Sequence, residues 1–180
     1  DGLGTLITEL EGAAGTVLTP SGVSAISLAF LTCLSVGDEV LITDSVYEPT
    51  RRFADSVLKR LGITTRYFDP RVGGAIADLV SDKTRAVFIE SPGSLTFEIQ
   101  DLPAITKALS GRDIAVLVDN SWATPLFYKP LPLGADIVIH SATKMFIGHS
   151  DAMMGTVSAN DAYLDRLVQT HRTFGLIASP

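Results

Sequence analysis

The chain has 180 residues, of which 46% are hydrophobic and 19% charged, a composition typical of one globular domain and not of a disordered segment. Its 14 basic and 20 acidic residues give a net charge of -6, which argues against a nucleic-acid-binding protein because such proteins present a basic face. With one cysteine, no signal peptide and no apolar run long enough to span a membrane, we expect a cytoplasmic protein without a disulfide or cysteine metal cluster.

Short apolar runs alternate with helical patterns along the whole chain, without an internal repeat or a long linker. Buried strands that are separated by helices indicate an α/β fold with a mainly parallel sheet and flanking helices. The pattern predicts helices at residues 23–34, 49–61, 102–109 and 161–171. It predicts a seven-stranded sheet, with strands at residues 16–18, 39–43, 64–68, 86–89, 115–118, 137–139 and 156–159.

Polar side chains follow five of the predicted strands. Because ligands of parallel sheets bind outside the carboxyl ends of the strands, we expect these segments to converge on one crevice. A nucleotide-binding domain is not supported, because the sequence has neither a GxGxxG motif after a strand nor a phosphate loop that ends in GK[ST]. The converging segments are residues 20–22, 44–47, 90–92, 119–120 and 141–144.

Lys144 comes shortly after the apolar strand at residues 137–139, where a lysine that only faces solvent is unusual. Its amine can form an imine with an aldehyde once its proton affinity is lowered by nearby positive charge or by desolvation. The alternative is a surface lysine whose stem covers the end of the sheet. On this feature alone the two interpretations are equally supported.

Asp119 ends the predicted strand at residues 115–118. A carboxylate at this position can hold a pyridinium nitrogen in its protonated form, so that the ring accepts electrons from a carbanion. The alternative is an aspartate that caps the next turn, which is the commoner role of a single strand-end aspartate.

Gly22 and Val23 lie between the first strand and the first predicted helix. Free N–H groups and the positive end of the helix dipole favour an anion there, and Ser141 and Thr143 can add hydroxyl donors. Gly22 also lets the backbone approach the anion closely. The alternative is that Ser21 simply caps a core helix.

Tyr47 lies in the loop after the strand at residues 39–43, where its ring can stack on a flat cofactor and its phenol can take part in proton transfer. The alternative is a core or interface tyrosine. Together the four features offer an amine, a pyridinium partner, an anion-binding site and a stacking ring. These match the aldehyde, ring nitrogen, phosphate and ring face of pyridoxal 5'-phosphate (PLP), which is the cofactor that we expect.

No metal site is expected. His140 and His171 show no spacing typical of metal ligands. Cys33 lies on the predicted helix at residues 23–34 and is interpreted as a core residue.

Three motifs in the second half of the chain carry a family resemblance. They are residues 119–125 (DNSWATP), 141–144 (SATK) and 148–151 (GHSD). Together they resemble the signature of the Cys/Met-metabolism PLP-dependent enzyme family, and the similarity extends from about Glu11 to the end of the chain. The resemblance implies the large domain of the type I fold of PLP-dependent transferases.

The resemblance also implies roles for individual residues. Lys144 would bind the cofactor covalently and move protons, Asp119 would pair with the pyridine nitrogen, and Tyr47 would stack on the ring. Lys144 and Tyr47 are thus the expected catalytic residues. The positions that match the phosphate-binding residues of the family are Gly22, Val23, Ser141 and Thr143.

Within the family, residues 47–50 (YEPT), residues 90–94 (ESPGS) and Trp122 are most similar to the cystathionine β-lyases. The γ-acting enzymes have an asparagine near the position of Ser94, and its absence here favours β-elimination. The implied activity is a carbon–sulfur lyase that converts cystathionine, or a cysteine S-conjugate, to homocysteine or another thiol, pyruvate and ammonia. The alternatives are a γ-acting cystathionine γ-synthase, cystathionine γ-lyase or methionine γ-lyase, and a truncated PLP fold without activity.

Family members are longer than this chain, so we expect residues 1–180 to form the PLP-binding large domain without the N-terminal arm and the C-terminal domain of the family. In the family, the arm reaches the cofactor phosphate of a neighbouring subunit, and the C-terminal domain supplies the arginine that binds the substrate carboxylate. The resemblance therefore implies a homodimer or homotetramer for the complete enzyme. Its expected substrate is a small amino acid, with no nucleic-acid or membrane partner.

Overall fold

The computed structural model describes residues 2–178, and a seven-stranded sheet forms its centre. In the order β1-β7-β6-β5-β4-β2-β3, strands β3, β2, β4, β5 and β6 pair in parallel, whereas β7 is antiparallel to both β6 and β1. The predicted α/β fold with a mainly parallel seven-stranded sheet is confirmed. The strands are β1 (Gly15–Thr19), β2 (Glu39–Thr43), β3 (Thr64–Phe68), β4 (Thr84–Glu90), β5 (Ala115–Asp119), β6 (Ile137–His140) and β7 (Gly155–Ala159).

Helices cover the sheet. All four predicted helices are present as α2, α3, α4 and α6, but α3 continues as a π-helical turn at Ala54–Leu58 where the sequence predicts one regular helix. Helices α1 and α5 were not predicted. Within the part of the chain that the structure describes, no helix is both long and apolar enough to cross a membrane. The α-helices are α1 (Gly2–Glu11), α2 (Gly22–Cys33), α3 (Glu48–Phe53), α4 (Leu102–Leu109), α5 (Thr124–Phe127) and α6 (Asp161–Phe174).

The side chains of the central strands alternate between two apolar layers, because successive residues of a strand point to opposite faces of the sheet. Phe88 and Leu117 pack in the layer that contains α2, whereas Val118 packs in the layer that contains α4. Glu90 and Asp119 follow Phe88 and Leu117 by two residues. The same alternation therefore brings both carboxylates to the α2 side of the sheet, at its carboxyl edge.

Cys33 belongs to the layer that contains α2, as the sequence predicts for a core residue. It is the one cysteine of the chain, and burial raises the pKa of its thiol to about 12. The thiol therefore stays protonated at neutral pH, and a protonated thiol is a poor nucleophile.

A buried pair of side chains links α1 to the end of β6. Glu11 and His140 are 0% and 1% exposed, and the imidazole Nε2 is hydrogen-bonded to the Glu11 carboxyl. The ring of Phe146 meets the ring of His140 edge-on, with 5.1 Å between the centroids. Since His140 precedes Ser141 and Phe146 follows Lys144 closely, the pair supports the segment that carries Lys144 from behind.

We expect Glu11→Ala to lower the free energy of unfolding by about 3 kcal/mol, because a buried polar group loses its partner. Among residues 2–178, the structure offers no other partner for the His140 Nδ1 atom. Urea unfolding followed by circular dichroism measures the change. Glu9→Ala is the matched control, because Glu9 is exposed on the same helix and its loss should cost less than about 0.5 kcal/mol. Equal losses in the two variants would contradict the prediction.

Candidate active site

A cavity of about 490 Å³ opens at the carboxyl edge of the sheet. The segments that follow β1, β2, β4, β5 and β6 all reach it, as expected for strands that run in one direction. The cavity brings together all seven residues that the sequence predicts for cofactor binding or catalysis. Its walls are formed by Ser21, Gly22, Val23, Ile26, Tyr47, Glu90, Ser94, Phe97, Asp119, Ser121, Trp122, Ser141, Thr143, Lys144, Met145 and Met153.

Lys144 lies in a turn that follows β6. Its N–H donates to the Ser141 carbonyl at 3.0 Å, and its carbonyl accepts the Gly148 N–H at 2.8 Å. The side chain is exposed towards the cavity, with Nζ at 5.2 Å from the centroid of the Tyr47 ring. Among the described residues the amine makes no hydrogen bond or ion pair. The backbone of the lysine is thus fixed while its amine is available to a ligand.

Asp119 is buried at the end of β5 and faces the cavity. Its Oδ1 atom accepts the Ser121 N–H at 3.0 Å, so that one oxygen caps the following turn. The Ser121 hydroxyl in turn accepts the Ser141 N–H at 2.6 Å. These contacts connect the carboxylate to the start of the Lys144 turn. Sequence reasoning did not identify Ser121, because only the pairing of β5 with β6 brings it to Ser141.

The start of α2 forms one wall of the cavity. The Ser21 hydroxyl oxygen accepts the Ser24 N–H at 3.2 Å, as expected for a helix cap. The Gly22 and Val23 N–H groups have no hydrogen-bond partner within residues 2–178. Two free N–H groups at the first turn of a twelve-residue helix suit an anion such as a phosphate.

Gly22 is required here by space. A Cβ atom at this position would come within 2.7 Å of both Cβ and Oγ of Ser141. Glycine therefore allows the start of α2 to pack directly against the Ser141 side chain. The two predicted phosphate-binding elements thus meet on one side of the cavity.

The structure gives Thr143 a different contact from the one that the sequence predicts. Its hydroxyl accepts the Met154 N–H at 2.9 Å and donates to the Met154 carbonyl at 3.1 Å. The hydroxyl thereby ties the Lys144 turn to the segment that leads into β7. To donate to a phosphate, Thr143 would have to release the Met154 carbonyl.

Tyr47 precedes α3 and its carbonyl accepts the N–H groups of Thr50 and Arg51 at 3.0 and 3.2 Å. The ring is 38% exposed and lines the cavity, so the alternative of a core tyrosine does not apply. The Tyr47 N–H donates to Oε2 of Glu90 at 2.7 Å. Burial and the negative charge of Asp119 raise the pKa of Glu90 to about 8.

Phe97 and Trp122 form an apolar rim of the cavity. Their ring centroids are 5.9 Å apart, in an edge-to-face arrangement. Sequence reasoning noted Trp122 only as a family feature and did not identify Phe97. Among the described residues, no group of three or more His, Cys, Asp or Glu side chains is arranged to hold a metal ion.

Comparison with known proteins gives the family. Residues 1–180 match the family model that is described as Cys/Met metabolism PLP-dependent enzyme. The chain belongs to this family. The cofactor of the family is PLP, as the sequence predicts, and the donors around the cavity fit its aldehyde, ring nitrogen and phosphate.

Individual relatives agree with this assignment. The chain is 46% identical over 180 residues to a putative cystathionine beta-lyase of Rhizobium johnstonii, and 44% identical over 154 residues to the cystathionine beta-lyase MetC of Escherichia coli. These matches cover 100% and 84% of this chain, but 46% and 39% of the relatives. The crystal structure of a cystathionine gamma-lyase from Lactobacillus plantarum, complexed with L-serine, has a TM-score of 0.93 and 34% identity. That match covers 97% of this chain and 46% of the other, so the chain spans less than half of each relative.

We expect Gly22→Ala to lower the free energy of unfolding by about 2 kcal/mol, because the added Cβ overlaps Ser141. The double variant Gly22→Ala with Ser141→Gly should recover part of the loss, since the clash is then removed. Thermal or urea unfolding measures both effects. Gly2→Ala is the control, because an added Cβ at Gly2 meets no atom within 4 Å. Additive losses in the double variant would contradict the proposed clash.

Proposed function

We propose that this chain is the PLP-binding large domain of a carbon–sulfur lyase that acts on cystathionine or related cysteine S-conjugates by β-elimination. The observation that carries the proposal is the meeting of four groups in one cavity. They are the Lys144 amine, the Asp119 carboxylate, the Tyr47 ring and the free N–H groups at the start of α2.

The residues of the cavity correspond to the chemical groups of PLP. Lys144 would bind the aldehyde carbon, Asp119 would accept a hydrogen bond from the protonated ring nitrogen, and Tyr47 would cover one face of the ring. When bound, PLP provides a ring that accepts the negative charge left on the α-carbon of an amino acid. The groups proposed to bind the phosphate are the Gly22 and Val23 N–H groups and the Ser141 and Thr143 side chains.

The protein side chains would then move protons and exclude water. The Lys144 amine removes the proton from the α-carbon of the substrate, and Asp119 remains ionised so that it continues to hold the ring nitrogen. The Tyr47 phenol shares in this proton transfer and its ring shields the cofactor face from solvent. The bond between the β-carbon and sulfur breaks, and water completes the conversion of cystathionine to homocysteine, pyruvate and ammonia.

Two observations bear on the choice between β- and γ-elimination. The sequence of residues 90–94 and the Trp122 position support β-elimination, as does the identity to cystathionine beta-lyases. The structural similarity to a cystathionine gamma-lyase supports a γ-acting member as the second candidate. The two reactions release different products from cystathionine, which makes them separable by assay.

The complete enzyme is proposed to be a homodimer or homotetramer. Large apolar side chains are exposed beside the cavity and on α5, including Leu95 at 84%, Leu126 at 79% and Phe127 at 83%. Exposed apolar side chains in such number suit a surface that another subunit covers. Because the chain spans less than half of its relatives, it would bind the cofactor while lacking segments that complete turnover.

We expect the purified chain to form a visible absorption band with added PLP, because the Lys144 amine is unpaired in the cavity. Borohydride reduction followed by peptide mass mapping should place the label on the peptide that contains Lys144. Lys144→Ala should lose both signals, whereas Lys107→Ala, which removes an exposed lysine on α4, should keep them. The proposed cofactor site is wrong if no band forms or if the label is scattered over surface lysines.

The reaction is identified by its products from cystathionine. A β-elimination is expected to give pyruvate and homocysteine in equal amounts, whereas γ-elimination gives 2-oxobutyrate and cysteine. Chromatography of the keto acids and thiols distinguishes the two. A Lys144→Ala variant that keeps full turnover would contradict the proposed mechanism.

A further inference from the structure

Glu90 connects two loops of the cavity that are distant in sequence. It ends β4, is 9% exposed, and its Cα is paired in register with that of Asp119 on β5. Its Oε2 atom accepts the Tyr47 N–H at 2.7 Å, a contact between residues 43 positions apart. The carboxyl thus reaches from the end of β4 to the loop that follows β2.

The backbone from which this carboxyl extends is itself fixed. The Glu90 carbonyl accepts a hydrogen bond from Nε2 of Gln100 at 2.8 Å, and the Gln100 N–H donates to the Ser91 hydroxyl at 2.9 Å. Both Ser91 and Gln100 are buried. The Glu90 side chain therefore offers the Tyr47 N–H an acceptor from a rigid position.

Tyr47 has fewer constraints on its side chain than on its backbone. Its ring is partly exposed, and its recorded ring contact is with the Lys144 amine. The position of the ring over the cavity consequently depends on where the Tyr47 backbone is held. We propose that Glu90 is a positioning residue of the cofactor site, which holds the Tyr47 ring beside Lys144 by accepting the Tyr47 N–H. This inference rests on the proposed roles of Tyr47 and Lys144 in binding PLP.

The charges around Glu90 are compatible with this role. Asp119 on β5 and Lys144 in the turn after β6 are the charged groups that face it, and the Tyr47 N–H approaches from the loop after β2. Because burial and Asp119 raise the Glu90 pKa to about 8, the carboxyl is largely neutral at pH 7. A neutral carboxyl still accepts one N–H, and it leaves Asp119 as the negative charge that can hold a ring nitrogen.

The test compares Glu90→Gln with Glu90→Leu. Affinity for PLP is measured by quenching of the fluorescence of Trp122, the single tryptophan, which lines the cavity. Glu90→Gln should bind within about twofold of the wild type, because an amide oxygen also accepts the N–H. Glu90→Leu should bind about tenfold more weakly, because the N–H loses its acceptor. The control is Glu48→Gln, which makes the same change at the exposed residue next to Tyr47 and should leave affinity unaltered.

A second measurement needs no cofactor. Hydrogen–deuterium exchange of the Tyr47 amide should be faster in Glu90→Leu than in the wild type or in Glu90→Gln. Unchanged exchange in Glu90→Leu overturns the inference even if the wild type binds PLP. Faster exchange in a chain that binds no PLP would support the contact and reject the proposed cofactor site. If Glu90→Leu lacks the far-ultraviolet circular dichroism of the wild type, Glu90→Ala replaces it in both measurements.

The raised pKa adds a readout that a purely steric role would not change. The folded-state pKa of about 8 lies above the ordinary value of 4.5, so the stability that protonation gives is complete below pH 4.5 and is lost as pH rises through about 8. The urea midpoint of the wild type should therefore fall relative to that of Glu90→Gln between pH 5 and pH 8. Parallel pH profiles for the two proteins would contradict the proposed charge state.

Discussion

The parallel pairing of β4, β5 and β6 is the constraint on which the candidate site depends. Its register places Glu90 beside Asp119, and Asp119 beside Ile139, so the polar residues that end each strand lie next to one another. Because backbone hydrogen bonds of the sheet set this register, the carboxylates and the Lys144 turn are positioned without long side-chain networks. The sheet is thus both the core of the domain and the frame of the cavity.

Contacts behind and beside the Lys144 turn complete its placement. The Ser121 hydroxyl holds the N–H of Ser141, Thr143 binds both backbone groups of Met154, and Glu11 binds His140 on the opposite face of β6. Each contact joins the turn to a different element of the fold. A short exposed segment is thereby held in one conformation while the lysine amine remains open to a ligand.

Much of this arrangement was predictable because its determinants are local. The apolar β-branched runs identified every strand of the sheet, and polar residues directly after them pointed to one edge. Helix α1 was missed, since its exposed leucines and two glycines give a weak amphipathic pattern and its buried partner, His140, is far away in sequence. The roles of Ser121 and Glu90 depend on strand register, which a single sequence does not specify.

The buried Cys33 has a practical consequence for spectroscopy on this chain. Since its thiol lies in the core and is protonated at neutral pH, thiol reagents should pass it by while the fold is intact. A cysteine introduced on the surface would then be the one reactive thiol of the molecule. Fluorophores or spin labels could be attached at a chosen position, such as the cavity rim, in an otherwise natural sequence.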